Sequence, residues 1–212
     1  MPRLSSPKAR RALATTLFVL TGVLVVGAAG LAGYPYYTNQ RATIKQNHLR
    51  QTFTTTEVKQ AYAARKVSVG SPLTRIMIPK IDVDAVVVEG TNAKALAAGA
   101  GHYPETPLPG EAGNVAIAGH RTMNGKPFSD LDRLSPGDRV ILVTPFARHT
   151  YEVVTSFDNH ANPWVTVPND WTTVAPTKVP MLTLTTCHPK GTARQRLVAR
   201  AKLVSSEPVR SA

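Results

Sequence analysis

A single cysteine, Cys187, ends the alternating run Met181-Leu-Thr-Leu-Thr-Thr-Cys187. One thiol cannot close an intramolecular disulfide, so Cys187 is either a small packing residue or a nucleophile. A nucleophilic thiol needs an imidazole, as base or as the cation of an ion pair. The chain offers six histidines. His48 lies in a polar stretch before the apparent core, and His149 and His160 flank a middle strand with no glycine beside them. His188 adjoins Cys187, and along a strand adjacent side chains point to opposite faces. His102 and His120 remain. His120 follows Gly119 at the end of an apolar run, where a residue without Cβ allows close backbone approach. Its residue type and setting leave a catalytic and a structural histidine both open. Arg196 opens the next alternating run. Its guanidinium has the fork of donors that acyl transfer needs to hold charge on a tetrahedral intermediate, although a solvated strand arginine has the same signature.

The elements that must position these groups read as short strands. Leu73–Ile78, Pro79–Asp84 and Ala85–Glu89 are β-branched runs broken by Pro and Gly, and Asn92–Ala98 suits one short helix. Asn114–His120 reads as a strand with Val115 and Ile117 on one face. Phe128–Leu134 suits a helical turn, and Ser135-Pro-Gly-Asp138 a turn between this and the strands Arg139–Thr144 and His149–Thr155. Asn159–Pro180, with Trp164 and Trp171, reads as loop. Met181–Cys187 and Arg196–Val204 close the domain. The loop His188–Gln195 most simply joins them as a hairpin, which sets Cys187 and Arg196 side by side at one rim. Many short strands with intervening turns predict a mainly β barrel or sandwich.

Upstream, no charged residue occurs from Ala12 to Ala32, long enough for one helical crossing of about 20 residues. Arg3, Lys8, Arg10 and Arg11 precede it, which predicts a cytoplasmic N-terminus and an exported domain, with Tyr34, Tyr36 and Tyr37 as an interfacial belt. The apolar run exceeds the roughly 7–15 residues of a signal-peptide core, so an uncleaved anchor is preferred to a cleaved signal. In an exported domain, where cysteines are usually paired, a lone thiol leans towards chemistry. The expected organisation is a cytoplasmic tail at 1–11, an anchor at 12–33, an extracellular stalk at 34–70 that is flexible spacer by default with a patch at Glu57–Arg65 able to form helix, one folded domain at 71–204 and a tail at 205–212. The formal net charge of +12 includes the cytoplasmic flank and is otherwise scattered. No basic stripe interleaved with aromatics points to nucleic acid, and an anionic membrane or wall surface is the better partner. Glu105, Glu111, Asp130, Asp132 and Asp138 are spread without an oxygen-ligand loop, and Cys187-His188 has no further ligands at usable spacing, so neither a metal nor another cofactor is expected.

Asn114-Val-Ala-Ile-Ala-Gly-His120-Arg121-Thr, Leu182-Thr-Leu-Thr-Thr-Cys187-His-Pro and Arg196-Leu-Val together resemble the sortases, surface transpeptidases of Gram-positive bacteria. Gly101-His-Tyr-Pro104 and Ala193-Arg-Gln-Arg-Leu197 are most similar to the class E enzymes of actinobacteria. The resemblance spans about Leu73 to Val204. It implies a closed barrel of about eight strands with short helices behind one transmembrane helix. It further implies a Cys187 nucleophile that cleaves an LAXTG- or LPXTG-like sorting signal between Thr and Gly through a thioacyl-enzyme. His120 would act as acid and base, and Arg196 as oxyanion stabiliser. Thr186 and, on the loop, Arg194 would be substrate-binding. The implied partners are secreted proteins with a C-terminal sorting signal and a peptidoglycan amine. The segment Asn159–Pro180 departs from the family pattern. A thiol peptidase that releases its product to water, and a non-catalytic wall-binding β-domain, are the alternatives. The triad of His120, Cys187 and Arg196 argues against the second of these.

Overall fold

The computed structural model describes residues 7–209. Helix α1 (Pro7–Thr52) contains an apolar window of mean hydropathy 2.2, long enough to cross a membrane, with none of that window buried. A core helix of a soluble protein would hide such side chains, whereas Phe18, Val23, Leu24 and Val26 are all exposed. Arg3, expected in the cytoplasmic flank, lies outside the described residues, and Lys8, Arg10 and Arg11 stand in the first turns of α1. By contact density the chain divides into two compact units, 1–37 and 38–212.

Within the second unit, the residues expected to form a flexible stalk are helical. α1 runs on to Thr52, and α2 covers Thr56–Ala63. The cause is a stripe at helical spacing: Ala42, Gln46, Leu49 and Phe53 share one face. Leu49 and Phe53 pack on Val86, Val88, Ala95 and Ala98 in a second small core. Gln46 gives that stripe its polar appearance, yet its amide is fully engaged. Nε2 donates to the carbonyls of Val86 and Ala98, both at 2.8 Å, and Oε1 accepts from Val86 N–H at 2.7 Å. A glutamine that pairs with backbone serves a buried face as well as an apolar residue does.

Eleven strands follow: β1 (Pro72–Ile78), β2 (Val83–Glu89), β3 (Ala100–His102), β4 (Asn114–Gly119), β5 (Arg139–Val143), β6 (Ala147–Val153), β7 (Ser156–Phe157), β8 (His160–Ala161), β9 (Trp164–Thr166), β10 (Met181–His188) and β11 (Gln195–Pro208). Eight of them form a closed ring in the order β10-β4-β3-β2-β1-β5-β6-β11, with β11 pairing back to β10. Closure leaves no open edge along the ring. β9 adds to the outside of β11, and β7 and β8 form a separate small hairpin. The ring is mostly antiparallel, with β4 and β10 parallel and β2 and β3 parallel. Helix α3 (Ala93–Leu96) starts one residue into the run Asn92–Ala98, because Asn92 caps it by accepting from Ala95 N–H at 2.9 Å.

The core is built by alternation. Val115 and Ile117 of β4, Leu182 and Leu184 of β10, and Leu197, Ala199 and Ala201 of β11 point inward with Ile76, Leu142 and Tyr151. The complementary positions, including Thr183, Thr185 and Cys187 on β10 and Arg196, Val198 and Arg200 on β11, therefore face outward. Three local expectations change. Pro79–Ile81 is a 3₁₀ turn rather than strand, because Asp82 closes it in the left-handed region at φ 53°. The long segment Asn159–Pro180 carries short strands and a 3₁₀ turn at Trp171–Val174. β11 continues past Val204, where Ser205–Pro208 pair with Ala147–Thr150 of β6, so four residues of the expected tail belong to the barrel.

Candidate active site

β4 and β10 run parallel and in register from Met181 opposite Asn114 to Thr185 opposite Ala118. The ladder stops there, one step short of the residues of interest. Beyond it, side chains hold the two strand ends together. The Thr186 hydroxyl donates to the Gly119 carbonyl at 2.8 Å, and Arg121 Nη1 donates to the Cys187 carbonyl at 3.3 Å. His120 is thus bracketed on both sides by bonds to the strand that carries Cys187. Its own backbone N–H donates to Gly99 O at 3.1 Å and its carbonyl accepts from Phe128 N–H at 3.2 Å. Gly119 cannot be replaced: an added Cβ would lie 2.4 Å from the Phe128 ring.

Across the hairpin, Cys187 pairs directly with Arg196. Directly opposed residues on antiparallel strands share a face, so thiol and guanidinium emerge together. Arg196 Nη1 donates to the carbonyls of Ala193 and Gln195 at 3.2 and 3.0 Å. This fixes one edge of the fork and leaves Nε and Nη2 for a ligand. His120, Cys187 and Arg196 line one cavity of about 310 Å³ on the outer face of the barrel. Its lining also takes in Thr185 and Thr186 of β10, Tyr103, and Asp170, Trp171 and Val174 from the segment after β9. The volume suits a short peptide segment more than a large cofactor.

Burial pushes the His120 imidazole below its ordinary value, which favours the neutral ring that can accept a proton. Also in the lining, the Asp170 carboxyl is held below the usual carboxylate range by the Thr166 hydroxyl, with Thr172 adding further bonds. It borders the cavity as a fixed negative charge. Tyr103 Oη sits 3.4 Å from the Thr185 hydroxyl.

Of the residues singled out from sequence, His120, Cys187, Arg196 and Thr186 meet at this cavity, whereas Arg194 stands exposed in the hairpin loop and is not part of its lining. Thr186 is 3% exposed, and its hydroxyl proton is committed to Gly119, so its first task is to hold the His120 strand end. His188 lies on the other face, with Nδ1 at 2.7 Å from Arg121 Nη1. His102 is buried elsewhere, between Glu89 at 3.0 Å and Pro107 O at 3.1 Å. Sequence reading gave no role to Arg121, which is 4% exposed and also reaches Asp132 at 3.1 Å. Its place followed from alternation alone: if His120 faces outward at the strand end, the next residue turns beneath it. Among the described residues no group of three or more His, Cys, Asp and Glu side chains could hold a metal ion.

Comparison with known proteins agrees with this arrangement. The sortase domain family matches residues 76–204. Sortase SrtE1 of Streptomyces coelicolor is 29% identical over 207 residues, covering 91% of this chain but only 56% of that protein. Among solved structures, the sortase D5 transpeptidase of Clostridium perfringens superposes with a TM-score of 0.65 at 27% identity, covering 78% of this chain and 99% of that one. Sortase E1 of S. coelicolor with a tripeptide in the active site gives a TM-score of 0.59 at 30% identity, covering 67% of this chain and 93% of that one. The ring of eight strands, the outward-facing cysteine and the family match over most of the barrel lead to one assignment: the chain belongs to the sortase family and is E-like within it.

Proposed function

We propose that the protein is a membrane-anchored cysteine transpeptidase acting on an LAXTG- or LPXTG-like sorting signal. The observation that carries this reading is the convergence of Cys187, His120 and Arg196 on one outward-facing cavity. In the first step neutral His120 takes the proton of the Cys187 thiol, the sulfur attacks the threonine carbonyl carbon of the Thr–Gly bond, and the negative charge that develops on oxygen is met by Arg196. His120 as imidazolium protonates the departing glycine nitrogen as the C–N bond breaks, leaving a thioester on Cys187. In the second step an amine attacks the thioester. Neutral His120 takes its proton, the new amide forms, and the thiolate leaves. The same imidazole serves both steps, which suits a ring whose burial keeps its neutral form accessible.

The tripeptide in the active site of the S. coelicolor relative supports a peptide in this cavity. By the positive-inside bias, Lys8, Arg10 and Arg11 would keep the start of α1 in the cytoplasm, with the anchor at 12–33, and set the barrel outside the cell. There it would meet secreted proteins bearing a C-terminal sorting signal and a peptidoglycan amine. The test uses the full chain in detergent micelles with LAXTG- and LPXTG-like peptides, with and without an amine acceptor, and product masses as readout. The expected result is cleavage between Thr and Gly and capture of the acyl group by the amine, both lost in Cys187→Ala. Cleavage with no amine capture would assign a hydrolase instead, and cleavage that survives Cys187→Ala would remove the thiol from the chemistry.

A further inference from the structure

On the outer face of β11 lies a buried cation that the reaction does not use. Arg200 is 1% exposed, the bulkiest of the fully buried side chains. Among the described residues no carboxylate lies within ion-pair distance of it, and its Nε has no hydrogen-bond partner. Burial pushes its guanidinium down to about 10, partly offset by Asp158. Such burial is costly and needs a structural reason.

The reason is in what it touches. Arg200 Nη2 donates to the Thr173 carbonyl at 2.6 Å. The guanidinium lies 3.9 Å over the Phe157 ring and 5.9 Å from the centre of the Trp164 ring. Its backbone is gripped as well: Asn162 Oδ1 accepts from Arg200 N–H at 2.9 Å, and Asn162 Nδ2 donates to Arg200 O at 2.6 Å. The Thr173 carbonyl accepts a second bond, from Asn114 Nδ2 at 3.1 Å, while the Thr183 hydroxyl donates to Asn114 Oδ1 at 2.7 Å. Arg200, Asn114 and Thr183 thus form one buried polar hub beneath the 3₁₀ turn Trp171–Val174. That turn is a wall of the Cys187 cavity, and Trp171 on it is 71% exposed.

We propose that Arg200, with Asn114, is a positioning residue for peptide recognition: it pins the segment from Phe157 to Thr173 so that the turn carrying Trp171 stands at a fixed height over Cys187. This rests on the reading of that cavity as the peptide site. Only a planar guanidinium can stack on Phe157 and donate to Thr173 at once. The hub touches neither His120 nor Cys187, so its loss moves the wall and leaves the chemical centre in place. The effect is on peptide binding more than on turnover.

The test compares the full chain in detergent micelles with Arg200→Met, which keeps bulk without donors, and with Asn114→Ser. Two readouts are used: hydrogen exchange and peptide kinetics. In both variants the amides of 162–175 exchange at least about tenfold faster than in the parent, while those of β10 are unchanged. KM for the LAXTG-like peptide rises about tenfold and kcat stays within about threefold. Alkylation of Cys187 by iodoacetamide keeps the parent rate. Unchanged exchange at 162–175 in a folded variant overturns the proposal, as does a fall in kcat with KM unchanged. If Arg200→Met does not fold, Asn114→Ser decides. Failure of the parent chain to cleave any peptide contradicts the peptide reading itself, and the exchange readout, independent of turnover, still decides whether the hub fixes the wall.

Discussion

Cys187 and Arg196 owe their meeting to register, since a direct cross-strand pair shares a face. This was legible in sequence, because two alternating runs joined by a short loop most simply form a hairpin. The role of Arg121 was not: alternation turns it under the strand end, but nothing in its type tells that it bonds the Cys187 carbonyl there. Thr186 was read as a substrate contact; it lines the cavity, and its hydroxyl proton goes to the Gly119 carbonyl. Arg194 had the right type and nearly the right position, but the loop leaves it in solvent. Between two nearby arginines of the same phase, the start of β11 at Gln195 decides: Arg196 lies in the ladder opposite Cys187 and Arg194 does not. A direct consequence concerns the shape of the Arg196 fork. With Nη1 spent on Ala193 and Gln195, the oxyanion of the proposed mechanism would depend on the remaining donors, and an ammonium cannot hold both sets. Arg196→Lys keeps the charge yet lowers kcat by about 100-fold in steady-state peptide cleavage. A fall of less than about threefold would show that charge alone suffices.

At the scale of elements, the strands around His120, Cys187 and Arg196 were predictable because β4, β10 and β11 alternate cleanly between core and surface. The helical docking of 38–53 was hidden for the converse reason. Its stripe includes Gln46, and a polar residue at a buried position looks like a break in the pattern unless its backbone partners are known. Val86 N–H and O and Ala98 O all depend on that one side chain. Ala98 precedes Gly99, whose carbonyl receives the His120 amide, so the helix bonds the residue next to the one that supports His120. Gln46→Ala leaves buried polar groups unpaired, and a loss of about 1–3 kcal/mol is expected from urea unfolding monitored by circular dichroism. An unchanged midpoint would mean that the helix contributes nothing to the barrel. The segment Asn159–Pro180 was unreadable in detail for another reason: its anchor, Arg200, lies far along the chain on β11, and its sequence position reads as an ordinary strand arginine.

For the molecule as a whole, pH is a probe of the account. His120 and His149 are both pushed below their ordinary value by burial. The unfolded chain therefore binds more protons than the folded one as pH drops below about 6.5, and stability falls through the depressed values. Asp84 and Asp130, held low by Arg75 and Lys190, titrate in a more acid range. Between about pH 7 and pH 5 the urea midpoint should decline, and the double variant His120→Gln, His149→Gln should flatten that decline. An equal slope in both proteins would assign the proton uptake to other groups. The long apolar helix at the N-terminus was legible from hydropathy, whereas alternation gave a mainly β barrel or sandwich and closure of the barrel followed only from the sortase resemblance. The chemistry rests finally on a covalent bond. The most direct measurement is the intact mass of the full chain after rapid mixing with an LAXTG-like peptide without acceptor amine, followed by proteolysis to locate the adduct. The account predicts an added mass equal to the peptide up to and including its threonine, attached to Cys187 and removed by an amine. Cleaved peptide with no such adduct at any time point would contradict it.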